Sequence, residues 1–241
     1  MVDITISVVI PALNEREALP ETIAALRGDG FSGEIIIADG GSTDGTVEWA
    51  QAQVGVLVVP CGRGRGVQLN AGAQATSGDV LAFLHADCKP PAEMAAHIQT
   101  ALLDAKVVGG AFCVRFEERR PWTLHATAWF INNRSRQVLS ATGDQAIFAR
   151  RTVYDAIGGF REWPLFEDID FVARLRGVGR FHVLPPCVTI SARRWLTNGV
   201  GKTNLLMARL YWGYRRGVAP EELARRYRDV RKTPPGPSEN L

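Results

Sequence analysis

Several charged clusters in this chain each follow directly on a short apolar run. Val80 to Leu84 ends in His85, Asp87 and the pair Pro90-Pro91, and Thr5 to Ile10 ends in Pro11, Asn14 and Glu15. Glu34 to Ala38 ends in Asp39 with Asp44 close behind, and Val56 to Val59 runs into Cys61 to Gly66, where Arg63 and Arg65 alternate with glycines. Carboxylates accept hydrogen bonds from a base N–H or a ribose hydroxyl, or hold a metal bound to a diphosphate, while arginine donates to base or phosphate. Taken singly, each cluster also fits a turn or a helix cap. Together they describe a rim suited to a nucleotide, because strand ends converge in a parallel sheet.

The elements that position these residues can be read from periodicity. The four apolar runs are strands, and they alternate with helical patterns around Ala18 to Leu26, from Ser42-Thr43-Asp44 through Trp49, over VQLNAGAQA, and from about Ala92 to Leu103. That rhythm predicts βαβ units and a mostly parallel sheet with right-handed crossovers. Beyond residue 104 it changes. Val107 to Phe116, Gly143 to Ala149 and Arg180 to Leu184 read as strands, Trp122 to about Ile131 as an aromatic helix, and FEDIDFVARLR as a helix from Ile169 onward. Helices are expected over 199–217 and 219–230. Residues 233–241, TPPGPSENL, are expected to be disordered.

At 241 residues the chain suits one large α/β domain. Cys61, Cys88, Cys113 and Cys187 form no CxxC pair, and the N-terminus is not signal-like, so reduced thiols and a cytoplasmic location are expected. No apolar run reaches the ~20 residues that span a bilayer. Residues 193–241 hold 11 Lys/Arg against 4 Asp/Glu, whereas the first 192 hold 17 against 21. Such a basic segment suits phosphate, anionic lipid or nucleic acid as a neighbour, although a solvated helix face is the commoner use. No nucleic-acid partner is expected. Two motifs mislead. Gly28 to Gly33 fits GxGxxG but precedes a strand, and Gly201-Lys202-Thr203 lacks the earlier glycine of a phosphate loop, since Leu196 stands there.

SVVIPALNE (Ser7 to Glu15), IIIADGGSTDGT (Ile35 to Thr46), GRGRG, SGDVLAFLHADC (Ser77 to Cys88), GDQAIFARR and FEDIDFVARLR, in this order, resemble an inverting family 2 glycosyltransferase with the GT-A fold. The likeness covers about residues 5 to 195, and is nearest to small bacterial members with an FLHAD strand end and a GDQ segment. It implies an α/β, Rossmann-like sheet flanked by helices, a mixed second half and C-terminal helices. About 1–104 would bind the nucleotide sugar, about 105–192 the acceptor, and 193–232 would form the basic helices.

The resemblance also implies roles. Asp39 matches the acid that contacts the base, with Gly40 in place of a second acid. Pro11, Asn14 and Glu15 match the loop packed on the nucleoside, and Arg65 the basic residue between glycines. His85-Ala86-Asp87 stands for the DxD motif, so Asp87 is the implied ligand of a divalent metal, Mn²⁺ or Mg²⁺, while His85 replaces an acid. Glu167-Asp168 matches the ED pair, with Asp168 as general base; acids also favour a helix N-terminus on electrostatic grounds. Asp144 is implied to face the acceptor. Ser191 to Trp195 keeps Arg194 and Trp195 of a QxxRW motif, a diphosphate or acceptor contact that is also a routine core-edge stack.

The implied reaction moves a sugar from a nucleoside-diphosphate donor, UDP-linked rather than GDP-linked, to a hydroxyl acceptor. It requires Asp39, Asp87 and Asp168 to line one hollow at the sheet edge. The rivals are a binding module that has lost turnover, kept open by His85, and a sugar-1-phosphate nucleotidyltransferase, whose Gly- and Lys-rich signature PALNERE does not supply. Trp122, Trp129 and Phe130 suit a sugar platform, yet aromatics on a helix more often fill core. Leu205 to Tyr214 is apolar on most faces and flanked by arginines. Packing on the domain or in a homodimer is the commoner use of such a stripe, and peripheral membrane contact the alternative.

Overall fold

The computed structural model describes residues 4–118, 121–138 and 140–232. The tail expected to be disordered lies outside the described residues. The strands are β1 (Ile6–Ala12), β2 (Glu34–Asp39), β3 (Val56–Pro60), β4 (Val80–Phe83), β5 (Cys88–Lys89), β6 (Val107–Phe116), β7 (Ile147–Arg150) and β8 (Arg180–Ile190). They form one sheet in the order β3-β2-β1-β4-β7-β6-β8-β5. The first four run parallel, as the βαβ rhythm requires; β7 is antiparallel to both β4 and β6, and β6 is parallel to β8. From β1 the chain steps outward to β2 and β3, then returns to place β4 on the other side. That reversal opens a crevice over the carboxyl ends of β1 and β4.

Both faces of the sheet are covered, which is why β1, β2 and β4 read as continuous apolar runs instead of alternating ones. Along β1, Val8 and Ile10 point to one face with Ile35 and Ile37 of β2, and Val9 points to the other. The first face packs α1 (Leu19–Gly28), α2 (Thr46–Gln51), α4 (Met94–Ala101) and α5 (Thr123–Val138) through Leu19, Ile23, Ala50, Ile98 and Leu124. The second packs α3 (Arg65–Gln74), α6 (Arg151–Ala156) and α7 (Glu167–Val178) through Leu69, Tyr154, Phe171 and Leu175. Phe83 of β4 sits edge-on to Phe160 and Phe171, which stack on each other. Each such side chain removed from water contributes about 1.5–3 kcal/mol. Helices α8 (Arg193–Asn198), α9 (Val200–Arg215) and α10 (Pro220–Lys232) complete the chain.

Three expectations need correction. Gly143 to Gln145 is a 3₁₀ turn and only Ile147 onward is strand. The turn is held by a capping box between Thr142 and Gln145, a reciprocal pairing that competes with strand geometry. Helix α7 begins at Glu167 rather than Ile169, because the acids themselves occupy its first turn. Trp122, Trp129 and Phe130 do not fill core; they are 75%, 67% and 64% exposed. The buried stripe of α5 is instead Leu124, Thr127, Ala128 and Ser135.

Candidate active site

The segments after β1 and β2 hold each other. Asn14, in the left-handed region at φ 58, receives a hydrogen bond from the Thr43 N–H on its side-chain oxygen (2.8 Å), and its own N–H donates to Ser42 Oγ (2.8 Å). The N–H of Glu15 donates to Thr46 Oγ1 (3.0 Å) and that of Arg16 to Asp44 (3.1 Å). Asp39, at the end of β2, is 4% exposed, and its carboxylate accepts from the N–H groups of Gly41 and Ser42. Pro11 lies within β1 opposite Ala38. Gln68 of α3 donates to the carbonyls of Ala12 and Ala38, tying down both strand ends. Asn14, Glu15 and Asp39, which the resemblance assigns to the nucleoside, are thus held in one hydrogen-bonded rim, whereas Arg65 pairs with Glu167 and His85 with Asp144.

After β4 the chain turns through His85, Asp87 and Cys88. His85 Nδ1 meets Asp144 Oδ1 at 2.9 Å, which joins this turn to the 3₁₀ turn between α5 and β7. Burial pushes the Asp144 carboxyl up, but the hydrogen bond and charge of His85, with Arg194 and Arg65, outweigh it and hold the group well below the usual carboxylate range. One residue earlier, the Gly143 N–H donates to Asp168 Oδ2 (2.8 Å), while Asp168 Oδ1 accepts from the N–H of Ile169 (2.7 Å). Each carboxylate oxygen keeps a lone pair for another donor, and both are held in direction.

Beside Asp168, the buried Glu167 pairs with Arg65 of α3 at 3.0 Å. Burial pushes Glu167 up and Arg65 opposes it. Glu15 is also pushed up, by burial and by the nearby Asp87.

Asp87, Cys88 and Asp144 line a cleft of about 460 Å³ with Ser191, Arg193, Arg194 and Trp195. That volume suits a small-molecule ligand. Trp195 is largely buried, edge-on to Phe116, and its indole N–H donates to Asn204 (2.9 Å), so it is a wall of the cleft as well as core. Arg194 lies over the rings of Trp195 and Tyr227. Asp168 and Asp39 do not line this cleft; Asp168, 8% exposed, is joined to it through Gly143, and Asp39 belongs to the rim over β1 and β2.

Strain is concentrated here. Among the described residues, Asn14, Glu93, Ala146 and Phe166 are the non-glycine positions with positive φ, and three of the four adjoin Glu15, Gln145 or Glu167. Each costs of order 1–3 kcal/mol and persists only where surrounding contacts hold it.

Three side chains escaped sequence reasoning. Arg193 lines the cleft and acts on the charge of Glu15. Arg134 of α5 stands over Tyr211 and is near enough to Asp168 to feel its charge. The fully buried Gln145 donates to the Phe112 carbonyl and accepts from Ser135 Oγ and the Thr142 N–H. Only Gln145 left a sequence signal, as the polar end of a GDQ triplet before an apolar run.

The residues present fit a divalent cation. Single donor atoms of His85, Asp87 and Cys88 lie within 4.8 Å of one another, with His85 Nδ1 paired to Asp144 and its Nε2 buried against Gly143. Burial, with Asp144 and Asp87 adding to it, pushes the Cys88 thiol well up, so the hard or borderline donors are the Asp87 carboxylate and the imidazole. Such a set suits Mn²⁺ or Mg²⁺ completed by phosphate oxygens.

The pattern of "Glycosyl transferase family 2" matches residues 7–158, more than half of the chain. The chain belongs to that family. A relative from Pseudomonas fluorescens, undecaprenyl-phosphate 4-deoxy-4-formamido-L-arabinose transferase, is 32% identical over 177 residues, covering 68% of this chain and 52% of its own length. Glucosyl-3-phosphoglycerate synthase of Mycolicibacterium smegmatis is 41% identical over 101 residues, covering 37% and 33%. This family 2 chain therefore matches about half, or less, of the length of these relatives.

Among solved structures, the Pyrobaculum calidifontis mannosyltransferase PcManGT in complex with GDP-Man and Mn²⁺ aligns with TM-score 0.65 at 19% identity, over 95% of this chain and 70% of its own. The Mycobacterium tuberculosis glucosyl-3-phosphoglycerate synthase in complex with Mn²⁺, UDP and glucosyl-3-phosphoglycerate aligns with TM-score 0.58 at 24% identity, over 78% and 72%. Staphylococcus aureus TarS aligns with TM-score 0.63 at 17% identity, over 78% and 60%. The fold is GT-A, as the sequence motifs imply.

Proposed function

We propose that this protein transfers a sugar, with inversion, from a nucleoside diphosphate donor to a hydroxyl acceptor, and that the donor is UDP-linked in preference to GDP-linked. The observation that carries the reading is the cleft in which Asp87 and Asp144 face Arg193 and Arg194 beside a strapped nucleotide rim. Carboxylates beside arginines suit a metal diphosphate, whose anionic oxygens pair with guanidinium while the metal pairs with carboxylate. The half up to about residue 104 would hold the donor, with Pro11, Asn14, Glu15 and Asp39 around the nucleoside and Arg65 nearby. About 105–192, with Asp144, Glu167 and Asp168, would meet the acceptor, and Arg194 with Trp195 would close the diphosphate side.

In the proposed step Asp168 removes the acceptor hydroxyl proton as that oxygen attacks the anomeric carbon. The bond from that carbon to the diphosphate breaks on the opposite side, and the nucleoside diphosphate leaves with the electron pair. The arginines take up the charge developing on the leaving oxygen. A divalent cation on Asp87, with the imidazole of His85 close by, would supply further neutralisation of that charge when bound. The solved family-fold structures carrying Mn²⁺ with UDP, or with GDP-Man, support this reading of the donor and the metal.

The test is a calorimetric screen of UDP, GDP, CDP and dTDP with and without Mn²⁺ or Mg²⁺. UDP is expected to bind most tightly, more tightly with metal, and Asp87→Ala to abolish the metal-dependent gain. No metal-dependent binding of any diphosphate would overturn the proposal. Metal-dependent binding without donor hydrolysis or sugar transfer would instead leave a binding module.

A further inference from the structure

Helices α5 and α9 run side by side. Asn204 Nδ2 donates to Thr127 Oγ1 (2.8 Å), and seven residues further along each helix the Arg134 guanidinium lies over the Tyr211 ring. Because both partners advance together, the helices are parallel, and these residues mark the seam. At about 100° per residue, Ala126 and Phe130 of α5 are turned from the seam by roughly 60–100° in one sense. Leu205, Ala208 and Trp212 are turned by roughly 40–100° in the other sense. For parallel right-handed helices, opposite senses put both sets on the same side.

The outcome is one continuous exposed face. Phe130 stands out on α5, with Trp129 further round that helix and Trp122 just before it, while Leu205 (52% exposed) and Trp212 (63%) stand out on α9. Lys202, Arg209 and Arg216, all exposed, follow along the outer margin of α9, and neither helix contains an aspartate or glutamate. Exposed aromatics of this number in one patch mark an interaction surface.

We propose that this face seats the protein on an anionic lipid bilayer. Tryptophan and phenylalanine beside lysine and arginine are the chemistry of the headgroup boundary, where rings enter the acyl margin and cations meet lipid phosphates. A second copy fits less well. A two-fold contact through this face would bring the cationic margins together with no acidic side chain on either helix to answer them. No helix of the described residues is long and apolar enough to cross a membrane, so the contact is peripheral.

The seam also backs on the cleft. Trp195 in the cleft wall donates to Asn204, which in turn donates to Thr127 of α5. The proposed membrane face and the proposed transfer site are thus two sides of one helical pair.

Sedimentation of the 241-residue chain with vesicles tests the proposal, using phosphatidylcholine alone and with about one-third phosphatidylglycerol. The chain is expected to sediment with the anionic vesicles and its tryptophan emission to shift to the blue. Phe130→Glu with Trp212→Glu is expected to lower vesicle affinity by about tenfold or more. Lys202→Gln with Arg209→Gln is expected to lower it by about 25-fold, less at high salt. Leu205→Gln gives a milder loss in the same direction, and a melting curve for each variant confirms that it is folded.

A wild-type chain that stays in the supernatant with both vesicle types overturns the proposal, as does binding that these substitutions leave unchanged. A dimer in solution that Phe130→Glu dissociates would assign the face to a second copy. No donor or acceptor enters this measurement, so its failure leaves the transfer reading untouched.

Discussion

The backbone N–H of Gly143 lies 2.8 Å from Asp168 Oδ2, and a methyl group placed on Gly143 would lie 2.3 Å from His85 Nε2. One glycine thereby sets the proposed base and packs against the imidazole that pairs with Asp144. No other residue type fits without moving one of them. Gly143→Ala is expected to cost about 1–3 kcal/mol in stability through overpacking. It should lower the transfer rate more than donor affinity, because the displaced N–H no longer aims Asp168. Calorimetric melting and a split of kcat from KM check this; unchanged kcat would show that the Gly143 contact does not position the base.

Asp168→Asn keeps the shape of the side chain and removes its capacity to take a proton. Nucleotide binding is expected to stay within about twofold, while transfer falls by about 10²- to 10⁴-fold, the usual worth of a general base. Full activity in the variant would transfer the role to another group. Asp144 is the first to examine, since its carboxylate already contacts His85.

Arg65 and Glu167 give a pH-dependent prediction. Burial raises the Glu167 carboxyl above its ordinary value, so above pH 4.5 the native state holds this proton more firmly than the unfolded chain. Stability from this group therefore falls as pH rises through the folded value. Arg65→Ala removes the guanidinium that opposes the shift, moving the folded value higher and deepening the loss. Because Arg65 is 42% exposed, solvent screens the pair and the expected cost is about 1–2 kcal/mol at neutral pH. The deficit should shrink toward pH 5, and Glu167→Gln in the same chain should recover most of it. Urea titrations at pH 5 and pH 8 read both effects, and a deficit that grows on acidification would contradict the sign.

The first half of the fold was legible because β1, β2 and β4 are buried on both faces and lead into charge, a pattern that periodicity and strand length resolve without tertiary knowledge. Asn14, Asp39, Arg65 and Asp87 followed from their places at strand ends. The second half was less legible. The 3₁₀ turn at Gly143 depends on the reciprocal Thr142 and Gln145 bonds, and Trp129 and Phe130 are exposed because Leu124 and Ala128 occupy the buried stripe instead. Both outcomes turn on which neighbour arrives in space. Arg193 reaches the cleft from beside the Arg194-Trp195 pair, whereas Arg134 comes near Asp168 from α5, where no local pattern marks it.

Gln145 shows how deeply the site is rooted in the fold. Its amide donates to the Phe112 carbonyl (2.9 Å) and accepts from Ser135 Oγ (2.9 Å) and the Thr142 N–H (3.1 Å), joining β6, α5 and the turn that bears Asp144. Gln145→Ala strands three polar groups away from water, each costing about 1–3 kcal/mol when left unpaired, offset by whatever water enters. A loss of about 2–4 kcal/mol in chemical denaturation is therefore expected. Gln145→Glu tests the geometry separately. It keeps the shape and the acceptor for Ser135 and Thr142 but replaces the donor to Phe112 with a second acceptor, so a carboxylate and a carbonyl face each other in the core. The glutamate variant should become more stable as pH falls, when a proton restores the donor, whereas the alanine variant should show no such recovery. Parallel pH responses in the two variants would mean that the amide acts only by filling space.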